Sequence, residues 1–282
     1  MKITITGAAG FLGSEVVKGL CAAGHEVRAT DVLYRNDLPV RIELEDLLQN
    51  MPCYRLVEGA EVLVHLGNHK GPGRCPQRAY GENLAMNANI IQAAQTTGVK
   101  KIIFASTVQV IAGNRHNGDP IPPSQLPYLP IDGQIPPNPG NLYALSKVAA
   151  ENMLAYYTRN HGLSTIAVRF PLLVSPVWAS YYRSAAFVYD NLDEAFAYQS
   201  IAEAAELVTA LAGAEVPGFH TYMPSSLGVC SKMSVREIAA RYFPDVSVRQ
   251  PLEQLDNLVD NAEITRACGW TPKFRLHEKN AG

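Results

Sequence analysis

The chain has 282 residues, 47% hydrophobic and 18% charged, with a formal net charge of −2. That is enough for one large α/β domain, or for a nucleotide-binding domain with a small second lobe. A near-neutral balance without a basic run argues against a nucleic-acid partner, and no apolar stretch approaches the ~20 residues that cross a bilayer.

In chain order, Met1–Thr6 lacks the apolar core and cleavage site of a signal peptide and predicts a first strand instead. Further strands are expected at Glu26–Thr30, Glu61–Leu66 and Lys101–Ala105, with helices over Gly13–Ala23, about Leu44–Leu48, Tyr54–Glu58 and Pro76–Thr97. This alternation predicts βαβ units, a parallel sheet and right-handed crossovers. Eight prolines between Pro120 and Pro139 leave no regular element over residues 117–141, because proline fixes φ and lacks a donor N–H. A loop this long is expected to be a lid, a binding loop or a loose insertion. A helix over Asn141–Asn160 and a strand over Leu163–Arg169 follow. Beyond Pro171 the expected elements are a helix over Ile201–Ala212, a strand over Phe219–Met223 and a helix over Ser234–Tyr242, opened by a capping box of Ser234 and Glu237.

Five cysteines, Cys21, Cys53, Cys75, Cys230 and Cys268, form no C-x-x-C, so neither a disulfide framework nor structural zinc is expected. His65 and His69 are four apart, but His65 ends an apolar run, and no metal site is predicted. The same absences predict a reducing, cytoplasmic setting.

The first chemical signal is the turn Gly7-Ala8-Ala9-Gly10-Phe11-Leu12-Gly13, between a predicted strand and a predicted helix. Glycines let the backbone approach a pyrophosphate closely, and the helix N-terminus directs free N–H groups at the anion. The spacing is G-x-x-G-x-x-G. Asp31 lies 18 residues past Gly13, close to where a carboxylate accepts from the adenosine ribose and repels the 2′-phosphate of NADP. NAD is therefore favoured over NADP, with Arg28 and Arg35 nearby as complications.

The second signal is Tyr143-x-x-x-Lys147. On a helix these share a face, and an ammonium beside a phenol favours the phenolate, more so with a bound nicotinamide cation. Such a pair suits an alcohol–ketone interconversion. Ser106 and Thr107 follow the Lys101–Ala105 strand, and a hydroxyl there can donate to a substrate oxygen.

Taken together these residues resemble the extended short-chain dehydrogenase/reductase family, which includes NAD-dependent epimerases and dehydratases. The matching pieces are Gly7/Gly10/Gly13, Asp31, Asp46-Leu47, His65-Leu66-Gly67-Asn68, Asn83, Phe104-Ala105-Ser106-Thr107, Tyr143/Lys147, Val168-Arg169-Phe170-Pro171 and Cys268-Gly269-Trp270-Thr271-Pro272-Lys273. The resemblance implies an α/β, Rossmann-like doubly wound parallel sheet. It assigns residues 1–170 to NAD binding and 171–282 to a small substrate lobe whose last segments return to the first domain. Thr107, Tyr143 and Lys147 would be catalytic. The cofactor would lie along Gly7, Gly10, Phe11, Leu12, Gly13, Asp31 and Val32. It would continue past Asp46, Leu47, Leu66, Gly67, Asn68, Asn83, Ser106 and Phe170 to Tyr143 and Lys147. A homodimer through the Tyr143 helix and the Pro76–Thr97 helix is also implied.

The chain departs from the family's nucleotide-sugar enzymes. Leu172 and Leu173 stand where those commonly carry a diphosphate-binding asparagine. Val110-Ile111-Ala112-Gly113 replaces Val-Tyr-Gly, and Gln199 or Ser200 replaces a later aspartate. His65-Leu66-Gly67, Phe104-Ala105-Ser106 and the short lobe are similar to uronate dehydrogenases. Arg74, Arg78, Arg115 and Arg183 could supply a carboxylate clamp, although surface placement is the favoured reading of each. The expected activity is hydride-transfer chemistry on a sugar hydroxyl, by a dehydrogenase or an epimerase. The alternative is a catalytically silent NAD(P)-binding redox sensor.

Overall fold

A computed structural model describes residues 1–69, 75–118, 120–184 and 187–277. Its centre is a seven-stranded parallel sheet. The strands are β1 (Lys2–Thr6), β2 (Glu26–Asp31), β3 (Ile42–Leu44), β4 (Val62–His65), β5 (Lys101–Thr107), β7 (Ser164–Phe170) and β10 (Phe219–Tyr222). Their spatial order is β3-β2-β1-β4-β5-β7-β10, which reverses direction at β1 and so opens a crevice at the carboxyl ends of β1 and β4.

Alternation along the strands builds one core on each face. Ile3, Ile5, Val64, Ile103 and Ile166 pack against α1 (Phe11–Ala22) and α6 (Ile201–Gly213). Leu63, Ile102, Phe104 and Ala167 face α2 (Asn50–Val57), α3 (Pro76–Thr96) and α4 (Leu142–His161). The fold is the Rossmann-like doubly wound sheet expected.

Two local expectations change. The segment read as helical near Leu44–Leu48 instead starts with β3, which extends the sheet beyond β2 and buries Ile42. The helix predicted over Tyr54–Glu58 begins at Asn50, with Pro52 in its first turn, where a missing N–H costs nothing. The proline-rich stretch is also no loose insertion. Leu126, Tyr128, Leu129, Ile131 and Ile135 are buried in a third core with residues from 174 to 276. The stretch contains β6 (Tyr128–Leu129), which pairs with β11 (Ser247–Val248). Hydrogen bonds of 2.8 Å from Ile131 N to Leu258 O and from Asp260 N to Ile131 O fasten it further.

The third core forms the small lobe, which also carries β8 (Leu172–Val174), β9 (Tyr198–Ser200), α5 (Pro176–Arg183) and α7 (Val235–Tyr242). The capping box at α7 is formed: Ser234 Oγ accepts from Glu237 N, and the Glu237 carboxylate accepts from Ser234 N. The short helix α8 (Ala262–Cys268) returns to the large sheet, where Ile264 joins the α1/α6 core.

Candidate active site

A cleft of about 670 Å³ runs across the carboxyl ends of β2, β1, β4, β5 and β7. One end is the glycine turn. Gly7 has φ +69°, and a Cβ there would sit 2.7 Å from Gly67 N and from the Leu66 carbonyl carbon. A Cβ on Gly13 would overlap the Gly7 carbonyl oxygen outright. The three glycines thus let two turns and a helix meet without side chains between them. Gly10 is the N-cap of α1, which has no side-chain cap and no acidic residue in its first turn. The first N–H groups of the helix are left for a ligand, and the dipole favours an anion. The pyrophosphate of a dinucleotide fits this cradle.

Asp31 ends β2 and lines the cleft. Its two carboxylate oxygens accept from Ala9 N at 2.9 Å and Leu33 N at 3.0 Å, so its position is set by the glycine turn itself. Arg35 is held by Asp37 at 2.6 Å and also reaches the Ala9 carbonyl at 3.4 Å.

Phe11, Leu12, Val32, Leu47, Leu66, Gly67, Asn68, Ser106 and Phe170 all line the cleft, as do the three glycines, Thr107, Tyr143 and Lys147. Asp46 and Asn83 do not. Asp46 Oδ1 caps the following turn by accepting from Leu48 N at 3.0 Å, and Glu45 lines the wall in its place. Asn83 spends its amide on backbone: it accepts from His69 N, and it donates to the carbonyls of His69 and Ala79, each at 2.8 Å. It braces the turn that carries Leu66, Gly67 and Asn68. Sequence reasoning missed Thr30, Leu33, Glu45, His69, Met86, Ala105, Pro171 and Leu173. Most are chain neighbours of recognised residues; Met86 has only its place on the inner face of α3 to mark it.

Under the Leu66–Gly67 turn, His65 is fully buried between Thr6 Oγ1 at 2.6 Å and Asn87 Oδ1 at 2.9 Å. Burial pushes its pKa down to about 4, so it stays neutral and serves as a strut between β1, β4 and α3.

At the middle of the cleft α4 presents Tyr143 and Lys147 from consecutive turns. Asn141 caps this helix, its Oδ1 accepting from Ala144 N at 2.8 Å. Thr107, at the end of β5, lines the cleft with the pair, and its Oγ1 accepts from Gln109 N at 3.3 Å. Lys147 is 3% exposed, and its Nζ lies 4.7 Å from the centre of the Phe104 ring and 5.7 Å from that of Tyr143. Burial lowers its pKa to about 7.

Burial at Tyr143 acts against the phenolate. Tyr143 keeps 40% of its surface exposed at the mouth of the cleft. Even so, the protein around its hydroxyl raises its pKa, outweighing the lowering effect of the neighbouring Thr107 hydroxyl, and the charge of Glu194 adds to the rise. Desolvation penalises the charged forms of both groups.

A buried network fixes this wall. Ser106 Oγ donates to Glu151 Oε1 at 2.6 Å, and Arg169 donates to both Glu151 oxygens at 3.1 and 2.8 Å. Arg169 also donates to the carbonyls of Gly133 and Ile135. Glu151 stands one turn beyond Lys147, so β5, β7, α4 and the proline-rich stretch are tied at one carboxylate.

Three of the four arginines lie elsewhere. Arg115 is buried in the small lobe, paired with Asp193 at 2.8 Å and donating to the Pro122 and Tyr242 carbonyls. It is neither a surface residue nor free to hold a ligand carboxylate. Arg183 donates to the Leu276 carbonyl at 2.7 Å, and Arg78 pairs with Glu82 along α3. Arg74 is outside the described residues.

Comparisons with known proteins agree with this fold. The family model described as "NAD dependent epimerase/dehydratase family" matches residues 3–195, more than half of the chain. The uronate dehydrogenase of Pseudomonas syringae pv. tomato is 30% identical over 175 residues. That match spans 60% of this chain and 58% of the relative's length. Among solved structures, UDP-glucose 4-epimerase of Thermotoga maritima superposes with a TM-score of 0.70 at 19% identity, covering 98% of this chain and 95% of that one. Uronate dehydrogenase of Agrobacterium tumefaciens, complexed with NAD, gives 0.67 at 21% identity, covering 97% and 84%. On the glycine turn, the parallel sheet and the matched two-thirds of its length, the chain belongs to the NAD dependent epimerase/dehydratase family.

Proposed function

We propose that this protein is an NAD-dependent oxidoreductase that oxidises a hydroxyl of a sugar or sugar acid, with Thr107, Tyr143 and Lys147 as the catalytic residues. The observation that carries this is the meeting of those three side chains on one wall of the cleft whose far end is the glycine turn. Bound NAD supplies the hydride acceptor. Asp31 takes the adenosine ribose hydroxyls, and the N-terminus of α1 takes the pyrophosphate. Among the described residues the Lys147 ammonium has no hydrogen bond or ion pair and lies over the Phe104 and Tyr143 rings. Hydroxyl oxygens of a ribose are the acceptors it lacks, and they restore its charge.

Tyr143 Oη then receives the proton of the substrate hydroxyl while Thr107 Oγ1 donates to the same substrate oxygen and fixes its direction. For Tyr143 to act as base its pKa must fall from its raised value, and a charged Lys147 together with a cationic ring beside the phenol acts in that direction. Leucines 172 and 173 offer nothing to a diphosphate, which favours a free sugar acid or aldose over a nucleotide sugar. The similarity to two uronate dehydrogenases supports the same class. We place a twofold dimer at the face of α3 and α4, where Asn89, Gln92, Met153 and Tyr156 line a shallow groove, and the protein in the cytoplasm. No helix among the described residues is long and apolar enough to cross a membrane.

The test is a panel of uronates, aldoses and nucleotide sugars, each with NAD. NADH is followed by absorbance and epimerisation by NMR. The expected result is NADH formation with an unactivated sugar or sugar acid, lost in Tyr143→Phe while NAD binding persists. Full turnover in that variant overturns the mechanism. Silence across the whole panel favours the redox-sensor alternative, and epimerisation without NADH release favours an epimerase.

A further inference from the structure

Among the described residues, Gln199 alone has a buried side chain with both polar ends unpartnered: neither Oε1 nor Nε2 has a hydrogen bond, and the residue has no exposed surface. A buried amide left unsatisfied costs roughly 1–3 kcal/mol, so its place needs a reason.

Gln199 is the middle residue of β9, paired in parallel register with Leu173 of β8. Registered neighbours in a parallel pair put their side chains on the same face. Leu172, Val174 and Tyr198 turn into the core of the small lobe, whereas Leu173 packs toward the large sheet and lines the cleft. The Gln199 amide therefore faces the cleft side, behind Leu173.

The sheet order says which part of a dinucleotide comes there. Asp31 at the end of β2 fixes the adenosine half, so the other half lies over β5 and β7, beside Thr107, Phe170 and Leu173. We propose that Gln199 is a cofactor-binding residue whose amide pairs with the carboxamide of the nicotinamide ring. A carboxamide presents one acceptor oxygen and two N–H donors, the complement of a glutamine amide. Leu173, partly exposed, must swing aside for the two to meet. The proposal rests on the NAD-binding reading above.

The experiment is calorimetric titration of wild type and Gln199→Met, nearly the same in volume, with NAD and with 3-acetylpyridine adenine dinucleotide, whose ring carries a methyl ketone without the amide N–H donors. Wild type is expected to prefer NAD. Gln199→Met is expected to bind NAD about ten-fold more weakly, as two lost hydrogen bonds predict, with the preference between the two ligands shrinking toward one. Without ligand the variant should melt no lower than wild type, because an unsatisfied amide has been removed. Equal affinity of wild type for both ligands overturns the proposal whether or not the variant folds. So does an unchanged NAD affinity in the variant, or a lowered melting temperature with the preference intact. If wild type binds neither ligand, the proposed function itself fails.

Discussion

Glu151 is the residue whose loss should do the most damage per atom removed. In Glu151→Leu, Arg169 keeps its bonds to the Gly133 and Ile135 carbonyls but has no counter-charge, at 3% exposure. Breaking a buried pair by removing one partner costs about 3–5 kcal/mol. The Ser106 hydroxyl loses its acceptor as well, for about 1 kcal/mol more. A protein of this size loses roughly 2–4 °C of melting temperature per kcal/mol, so a fall on the order of 10–20 °C is expected. Adding Arg169→Met removes the stranded charge and should recover most of the loss, leaving about 1–3 kcal/mol for two carbonyls without a donor. Urea and thermal unfolding of wild type, both single variants and the double variant form the assay. The double variant should fold and bind NAD, yet turn over slowly, because the Ser106–Glu151 hydrogen bond no longer ties the Ser106–Thr107 strand end to the helix of Tyr143 and Lys147. A loss below about 1 kcal/mol in Glu151→Leu, or no recovery in the double variant, refutes the reasoning.

Three further outcomes are expected. Gly13→Ala should raise the Kd for NAD more than about ten-fold, since its methyl group overlaps the Gly7 carbonyl and the turn must open; titration with NAD checks it. Asp31→Ser should weaken NAD and strengthen NADP, because the repulsion of a 2′-phosphate disappears while a hydroxyl still accepts from backbone; an unchanged ratio of the two affinities speaks against a ribose-binding role. Lys147→Met should stabilise the apoprotein at acid and neutral pH. The folded pKa of about 7 lies below the ordinary 10.5, so between those values the unfolded chain holds a proton that the folded chain has released, and wild-type stability rises with pH across that window. The variant's advantage, on the order of several kcal/mol below about pH 7, should shrink as pH rises and vanish near pH 10.5; a pH-independent difference refutes it.

The parts of the site legible in the sequence are those whose geometry is closed locally. Gly7 to Gly13 is one turn, Asp31 ends the next strand, and Tyr143 and Lys147 are one helical turn apart. Each needs only a few neighbouring residues to fix where its atoms point. Asp46 and Asn83 sit in the right stretches, but spacing does not say which way a side chain faces. One is used up capping a turn and the other in holding the backbone of His69. The short strand β3 was misread because a three-residue edge strand has too few positions to show a period.

What was illegible is non-local. Ser106, Glu151 and Arg169 are 45 and 18 residues apart in pairs and meet only because β5 and β7 are sheet neighbours with α4 laid across them. The proline-rich stretch poses the same problem on a larger scale. Its prolines correctly excluded helix and long strand, yet the apolar residues between them, Leu126, Tyr128, Leu129, Ile131 and Ile135, are a core without a local partner. Their partners come from 174 to 276. The third core is therefore assembled from distant pieces of chain. Arg169 joins that core to the wall of the cleft: it donates to the Gly133 and Ile135 carbonyls and to Glu151, which in turn accepts from Ser106, the residue before Thr107.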